Sequence, residues 1–227
     1  SVYHWLVPDK GMSVYADKVV KQLKPDEIRK INNWRKEFCT AFNEDDITTL
    51  KNLSTAADAL WQRHLKACRD LREKTTDLLL VWPEKAEKGK QPTSTHWKDL
   101  QYAKTIKHPY SPYRRLKLAM DYWCALWFWP IEKADLLPTR DQFLMEMSVL
   151  LGVMPTRSQK LEQGEMSNLL VEIQGQAIAV QPELDIDDPA GQVNVEELCE
   201  KLERLGLVSK IAEKRRFLHW ELEYVDL

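Results

Sequence analysis

From Asp46 to about Leu80, apolar residues return at helical spacing, every three or four positions as far as Leu71 and again at Leu78. Leu50, Leu53, Ala57, Leu60, Trp61, His64, Leu65, Cys68, Leu71 and Leu78 make one stripe. That spacing is the period of a helix and not of a strand. Its length, about 30 residues, predicts one long helix or the arm of a helical hairpin. A chain built around such an element must bury the stripe against other helices. Glycine usage agrees, because seven glycines among 227 residues is less than half the ordinary share. This argues against a turn-rich β-sandwich and against a Gly-rich phosphate cradle.

The flanking segments read the same way. Residues 8–25 read as a loop and a short helix closed by Pro25. Pro25, Asp26 and Glu27 begin the next helix, with acids at the positive end of its dipole and Ile28, Ile31, Trp34 and Phe38 on one face. The polar run Asn43 to Asp46 interrupts the pattern. Trp97 to Lys107 forms a short helix, and Arg114 to Trp129 a strongly apolar one ending at Pro130. Thr139 to Gly152 supplies another, with Phe143, Leu144, Met147, Leu150 and Leu151 inward. Asn194 caps a helix over Val195–Leu205 that Gly206 ends, and a further short helix begins at Ser209. The stretch Asn168–Gln181 fits either an amphipathic helix or a strand pair around Gly175. The expected organisation is an extended segment and long helical region over 1–82, a charged loop over 83–96 and a Trp-rich helical core over 97–154. An irregular segment over 155–192 follows, then C-terminal helices with an apolar terminal run over 193–227. The fold class is mainly α, a bundle-like multi-helix domain with a few short strands.

Both ends are apolar. Val2, Tyr3, Trp5 and Leu6 open the chain, while Phe217, Trp220, Leu222 and Val225 close it. Natural ends are usually solvated, so either these runs pair with each other or they belong to a larger core.

Charge excludes some functions. With 33 basic and 35 acidic residues the net charge is −2, so no global field marks a nucleic-acid binder. No apolar run approaches the roughly 20 residues of a membrane span. The four cysteines are isolated and the five histidines scattered, without metal-ligand spacing. A reduced, cytoplasmic setting is the expectation, with no metal and no membrane. No G-x-G-x-x-G, Walker or nucleophile-elbow motif occurs.

One block mixes aromatic and basic residues. Tyr110, Tyr113, Tyr122, Trp123, Trp127, Phe128 and Trp129 accompany Arg114, Arg115 and Lys117. Arginines on phosphates with rings under bases is one way to hold nucleic acid. Leu116, Met120, Trp123 and Trp127 share one helix face, which assigns most of the block to core. Arg114 and Arg115 are the residues expected to reach DNA, with stability indifferent to their removal. Lys88 and Lys90 belong to a loop that could touch a DNA backbone, although neighbouring acids make a solvated loop the better reading. Glu221 and Glu223 read as the solvated side of a strand-like run.

The segment Arg114 to Ile131, followed by Lys133-Ala-Asp-Leu-Leu-Pro138, resembles one found in very large bacterial class I DNA methyltransferases. These are adenine-N6 enzymes of restriction–modification and phage-defence systems, similar to type IIG proteins and the DISARM methylase. Phe217 to Leu227 resembles the stretch that in this family runs into the catalytic Asn-Pro-Pro-aromatic strand, and His4 to Met12 is similar to its opening. The resemblance implies a parent α/β enzyme that binds S-adenosylmethionine and flips adenine out of the duplex. The chain would be a helical insert of that parent, with DNA, the rest of the enzyme and other defence subunits as partners. It departs from the family in lacking the catalytic tetrapeptide and a Gly-containing cofactor loop. Arg157, Asn168 and Glu223 match no catalytic motif, so catalytic and cofactor residues are expected elsewhere in the parent.

Overall fold

The computed structural model describes residues 1–76, 95–153 and 193–226. Lys88, Lys90 and the irregular segment expected over 155–192 lie outside the described residues. Nine α-helices are described: α1 (Lys18–Leu23), α2 (Pro25–Phe38), α3 (Glu44–Thr75), α4 (Thr95–Thr105), α5 (Pro112–Ala125), α6 (Arg140–Leu151), α7 (Val195–Lys201), α8 (Glu203–Arg215) and α9 (Trp220–Glu223). Short 3-10 helices occupy His4–Leu6 and Ile131–Leu136. Among the described residues there is no strand, so the short strands expected at the ends are absent there. The reason is packing. In the opening run Trp5 and Leu6 are both buried in a tight helical turn, whereas in the closing run Leu222 is fully buried and Phe217 packs partly buried against the core.

The polar run before the long stripe is a cap and not a gap. The Asn43 side chain accepts from the Asp46 N–H, and the Asp46 carboxylate accepts from the Asn43 N–H. This reciprocal box satisfies donors that an open helix end would waste. From there α3 buries Leu50, Leu53, Ala57, Leu60 and His64 along one side. Thr139 and Gln142 form the same box at the start of α6, and Gly152 ends that helix in the left-handed region at φ 74°.

Helix α5 is the centre of the molecule and packs against α3, α6, α7, α8 and α9. It begins at Pro112 with Ser111 as cap, two residues earlier than the pattern predicts, because Pro is well suited to a first helical position. It ends at Ala125 and not at Trp129. Beyond it the chain turns so that Trp129 is fully buried, with its indole N–H donated to the Lys133 carbonyl at 2.8 Å.

A buried polar network joins three helices. Tyr122 of α5 donates to Glu146 of α6 at 2.5 Å, and Arg204 of α8 meets the same carboxylate at 2.5 Å. Arg204 also donates to the Leu136 carbonyl and to Gln142. Burial pushes the Glu146 carboxyl up, against the pull of Arg204 and Tyr122.

Gly206 does not stop a helix, in contrast to the sequence expectation. It sits in the first turn of α8, where an added Cβ would lie 2.5 Å from the Cys199 carbonyl oxygen of α7. The break falls at Leu202, which is extended and buried. Glycine is there for close backbone approach.

His64 ties α3 to the C-terminal segment. Its Nε2 lies 2.9 Å from the Leu222 carbonyl oxygen, an acceptor only, so that nitrogen is the donor. Burial lowers its pKa, while the Leu222 carbonyl, Glu223 and Asp226 act in the opposite direction. The unfolded chain binds this proton at the ordinary pKa of about 6.5, and the native chain resists it. Stability contributed here is therefore complete above that value and lost as pH falls through it towards the native pKa. Urea midpoints taken between about pH 7.5 and 5 should fall more for the native sequence than for His64→Gln. Equal slopes would remove His64 from the pH response.

Candidate functional site

The residues expected to touch DNA separate once α5 is set among its neighbours. Arg115 is 2% exposed and donates through Nε to the Leu150 carbonyl at 2.8 Å. It belongs to the core, so the expectation that it reaches DNA and can be removed without loss of stability is corrected. Tyr113 is buried too, and its hydroxyl donates to Glu223 at 2.6 Å, which corrects the solvated reading of that acid. Burial and this carboxylate push the Tyr113 hydroxyl far above its ordinary range. Tyr110 is half-buried and accepts from Asn194 at the start of α7, at 3.4 Å.

Arg114 and Lys117 do reach a surface, the wall of a cleft between α5, α7 and α8. This cleft has a volume of about 590 Å³, and Asp121, Glu196, Cys199 and Arg216 share its lining. Both expected cations have carboxylate partners. Arg114 lies 3.3 Å from Glu196, and Lys117 lies 2.7 Å from the buried Asp121. The second Asp121 oxygen is 2.7 Å from His219 Nε2, so this carboxylate also anchors the C-terminal segment. An Asp–His pair orients an imidazole as a general base would need. Among the described residues no nucleophile hydrogen-bonds the other ring nitrogen. Burial pushes the Cys199 thiol up to about 11, although Arg114 acts to lower it. At neutral pH it stays protonated and inert.

The C-terminal end of α8 was not singled out by the sequence reading. Ile211 and Ala212 face inward, and Lys210, Lys214, Arg215 and Arg216 are exposed. The contiguous triplet Lys214-Arg215-Arg216 running into Phe217 was the available signal. Beside it Phe128 stays 47% exposed, with the Arg215 guanidinium 5.1 Å from its ring centre and Phe217 at 5.7 Å. A second groove of about 270 Å³ opens here, lined by Tyr15, Phe128, Trp129, Glu132, Lys214 and Arg215 among others. Arg216 ends the helix at φ 55°. Holding a side chain in this left-handed region costs about 1 kcal/mol relative to glycine.

No protein-family model matches the chain, and no curated protein or solved structure matches it significantly. Among the described residues no helix is long and apolar enough to cross a membrane.

Proposed function

We propose that this chain is a non-catalytic helical region of an S-adenosylmethionine-dependent DNA adenine-N6 methyltransferase of a restriction–modification or phage-defence system. In that enzyme it shapes the DNA cleft and docks on the rest of the protein. The residues of α5 and of the terminal run carry the resemblance, and the helical architecture is compatible with an insert. One structural observation supports docking. Within the run that resembles the approach to the catalytic strand, Leu222 turns inward while Trp220 and Tyr224 stack on the outside at 5.3 Å. They are 66% and 50% exposed. Two large rings held in water forgo burial energy that a neighbouring domain would recover.

The first test is the gene for about 30 codons beyond Leu227, where an Asn-Pro-Pro-aromatic tetrapeptide is expected. A stop codon there would move a helical protein-interaction module, covering the same aromatic pair, to first place. In the complete enzyme, Trp220→Ser with Tyr224→Ser should reduce adenine methylation of plasmid DNA while the helical signal is retained. Unchanged methylation would remove the docking role. The isolated chain should not bind S-adenosylmethionine, and micromolar binding by calorimetry would contradict the assignment of the cofactor site to the parent.

A further inference from the structure

We propose that the C-terminal end of α8, formed by Lys210, Lys214, Arg215 and Arg216, is a docking ridge for the phosphate backbone of duplex DNA. It rests on the reading of this chain as part of a DNA-acting enzyme and relocates the contact from α5.

Four observations carry it. The first is the state of the charges. Arg114, Lys117, Arg140 and Arg204 are each matched to a carboxylate. Among the described residues Lys210, Lys214, Arg215 and Arg216 have no ion-pair partner, although Asp121, Glu196 and Glu213 line the cleft that Arg216 also lines, and Glu132 lines the groove with Lys214 and Arg215. Unmatched cations keep the counterions whose release drives phosphate binding.

The second concerns what these side chains are not needed for. Basic residues in a last helical turn often serve the terminal carbonyls. Here the backbone does that work, because the Arg216 N–H reaches the Ala212 and Glu213 carbonyls and the Phe217 N–H donates to Ala212 at 3.2 Å. The third is Arg216 itself, which occupies a left-handed position suited to glycine. An arginine kept at an unfavourable backbone conformation, where glycine would cap better, is there for its side chain. The fourth is Arg215, whose guanidinium lies over the Phe128 ring and is held in place without using its donors.

Cations without partners on one helix end suit a line of phosphates better than a single small anion. A ridge engaging three or four phosphates gives a log–log salt slope of about −3 to −4.

The test is fluorescence anisotropy of a labelled duplex with the 227-residue chain across a salt series, with melting followed in parallel. Lys214→Gln, Arg215→Gln and Arg216→Gln together should weaken binding at least about tenfold and lower the slope magnitude by about 3. Arg216→Gly separates contact from structure. It should weaken binding about fivefold while the melting temperature holds or rises. Absence of duplex binding by the unaltered chain, or affinity indifferent to the triple variant, would overturn the ridge. So would competition by polyglutamate as strong as by duplex at equal charge, since the surface would then be general for polyanions. The reading beneath it fails separately. Loss of binding in the triple variant without a catalytic tetrapeptide downstream keeps the ridge and removes the methyltransferase. The tetrapeptide with no ridge effect does the reverse.

Discussion

Replacing Arg204 with Met should lower the unfolding free energy by about 3–5 kcal/mol, read as a shift in the urea midpoint. Glu146 is 1% exposed and Arg204 brings the charge that compensates it. Removing Arg204 leaves a carboxylate buried with only the Tyr122 hydroxyl, so the native state holds its proton more tightly. A native pKa above the unfolded value gives stability that is complete at low pH and lost as pH rises. The Arg204→Met defect should therefore be smallest in acid. Glu146→Gln combined with Arg204→Met should recover much of the loss, because it removes both charges at once. A defect below about 1 kcal/mol, or one that does not respond to pH, would show that the pair does little for α5, α6 and α8.

Arg140→Ala should cost about 3 kcal/mol or more, the second large effect. This side chain at the start of α6 gathers the loop between α2 and α3. Its guanidinium donates to the carbonyls of Phe38 at 3.1 Å, Thr40 at 2.5 Å and Ala41 at 3.0 Å, and it pairs with Asp46 at 3.2 Å. Asp46 is itself half of the cap on α3, so one substitution loosens the ends of two helices. The Phe42 ring adds a face at 4.9 Å. Arg140→Lys should restore less than half of the loss, since an ammonium cannot fork among these acceptors. Full rescue by Lys would mean that charge alone matters there.

How much of this was legible in the sequence depended on whether the signal was local. The Pro that opens α2 and the left-handed Gly152 act within one turn, and neighbouring residues sufficed to read them; the capping boxes of α3 and α6 are equally local, yet Asn43–Asp46 read only as a break in the apolar pattern. Gly206 shows the limit. A glycine near a helix end reads as a stop, but its reason was the Cys199 carbonyl of another helix. Glu146 was invisible in the same way. It sits among apolar residues of α6 as an ordinary charged position, and only the arrival of Tyr122 and Arg204 makes burying it tolerable. Trp220-Glu221-Leu222-Glu223 alternates like a strand, yet the single inward residue is decided by what α3 and α5 offer it.

The sequence by itself determined that the described chain is helical, where most helices begin, and that the tryptophan-rich segment lies at the centre. Those outcomes follow from backbone propensity, capping and apolar period, which operate between residues a few positions apart. Only the tertiary structure decided which charges are available. Arg114 and Arg115 are adjacent, yet about 100° of helical rotation puts one on the cleft wall and the other under the Leu150 carbonyl. Lys117 is matched by Asp121 from its own helix, and Arg216, among the described residues, by no carboxylate. An arginine is charged wherever it stands, and its freedom to bind a phosphate depends on the carboxylates and carbonyls that the fold brings beside it.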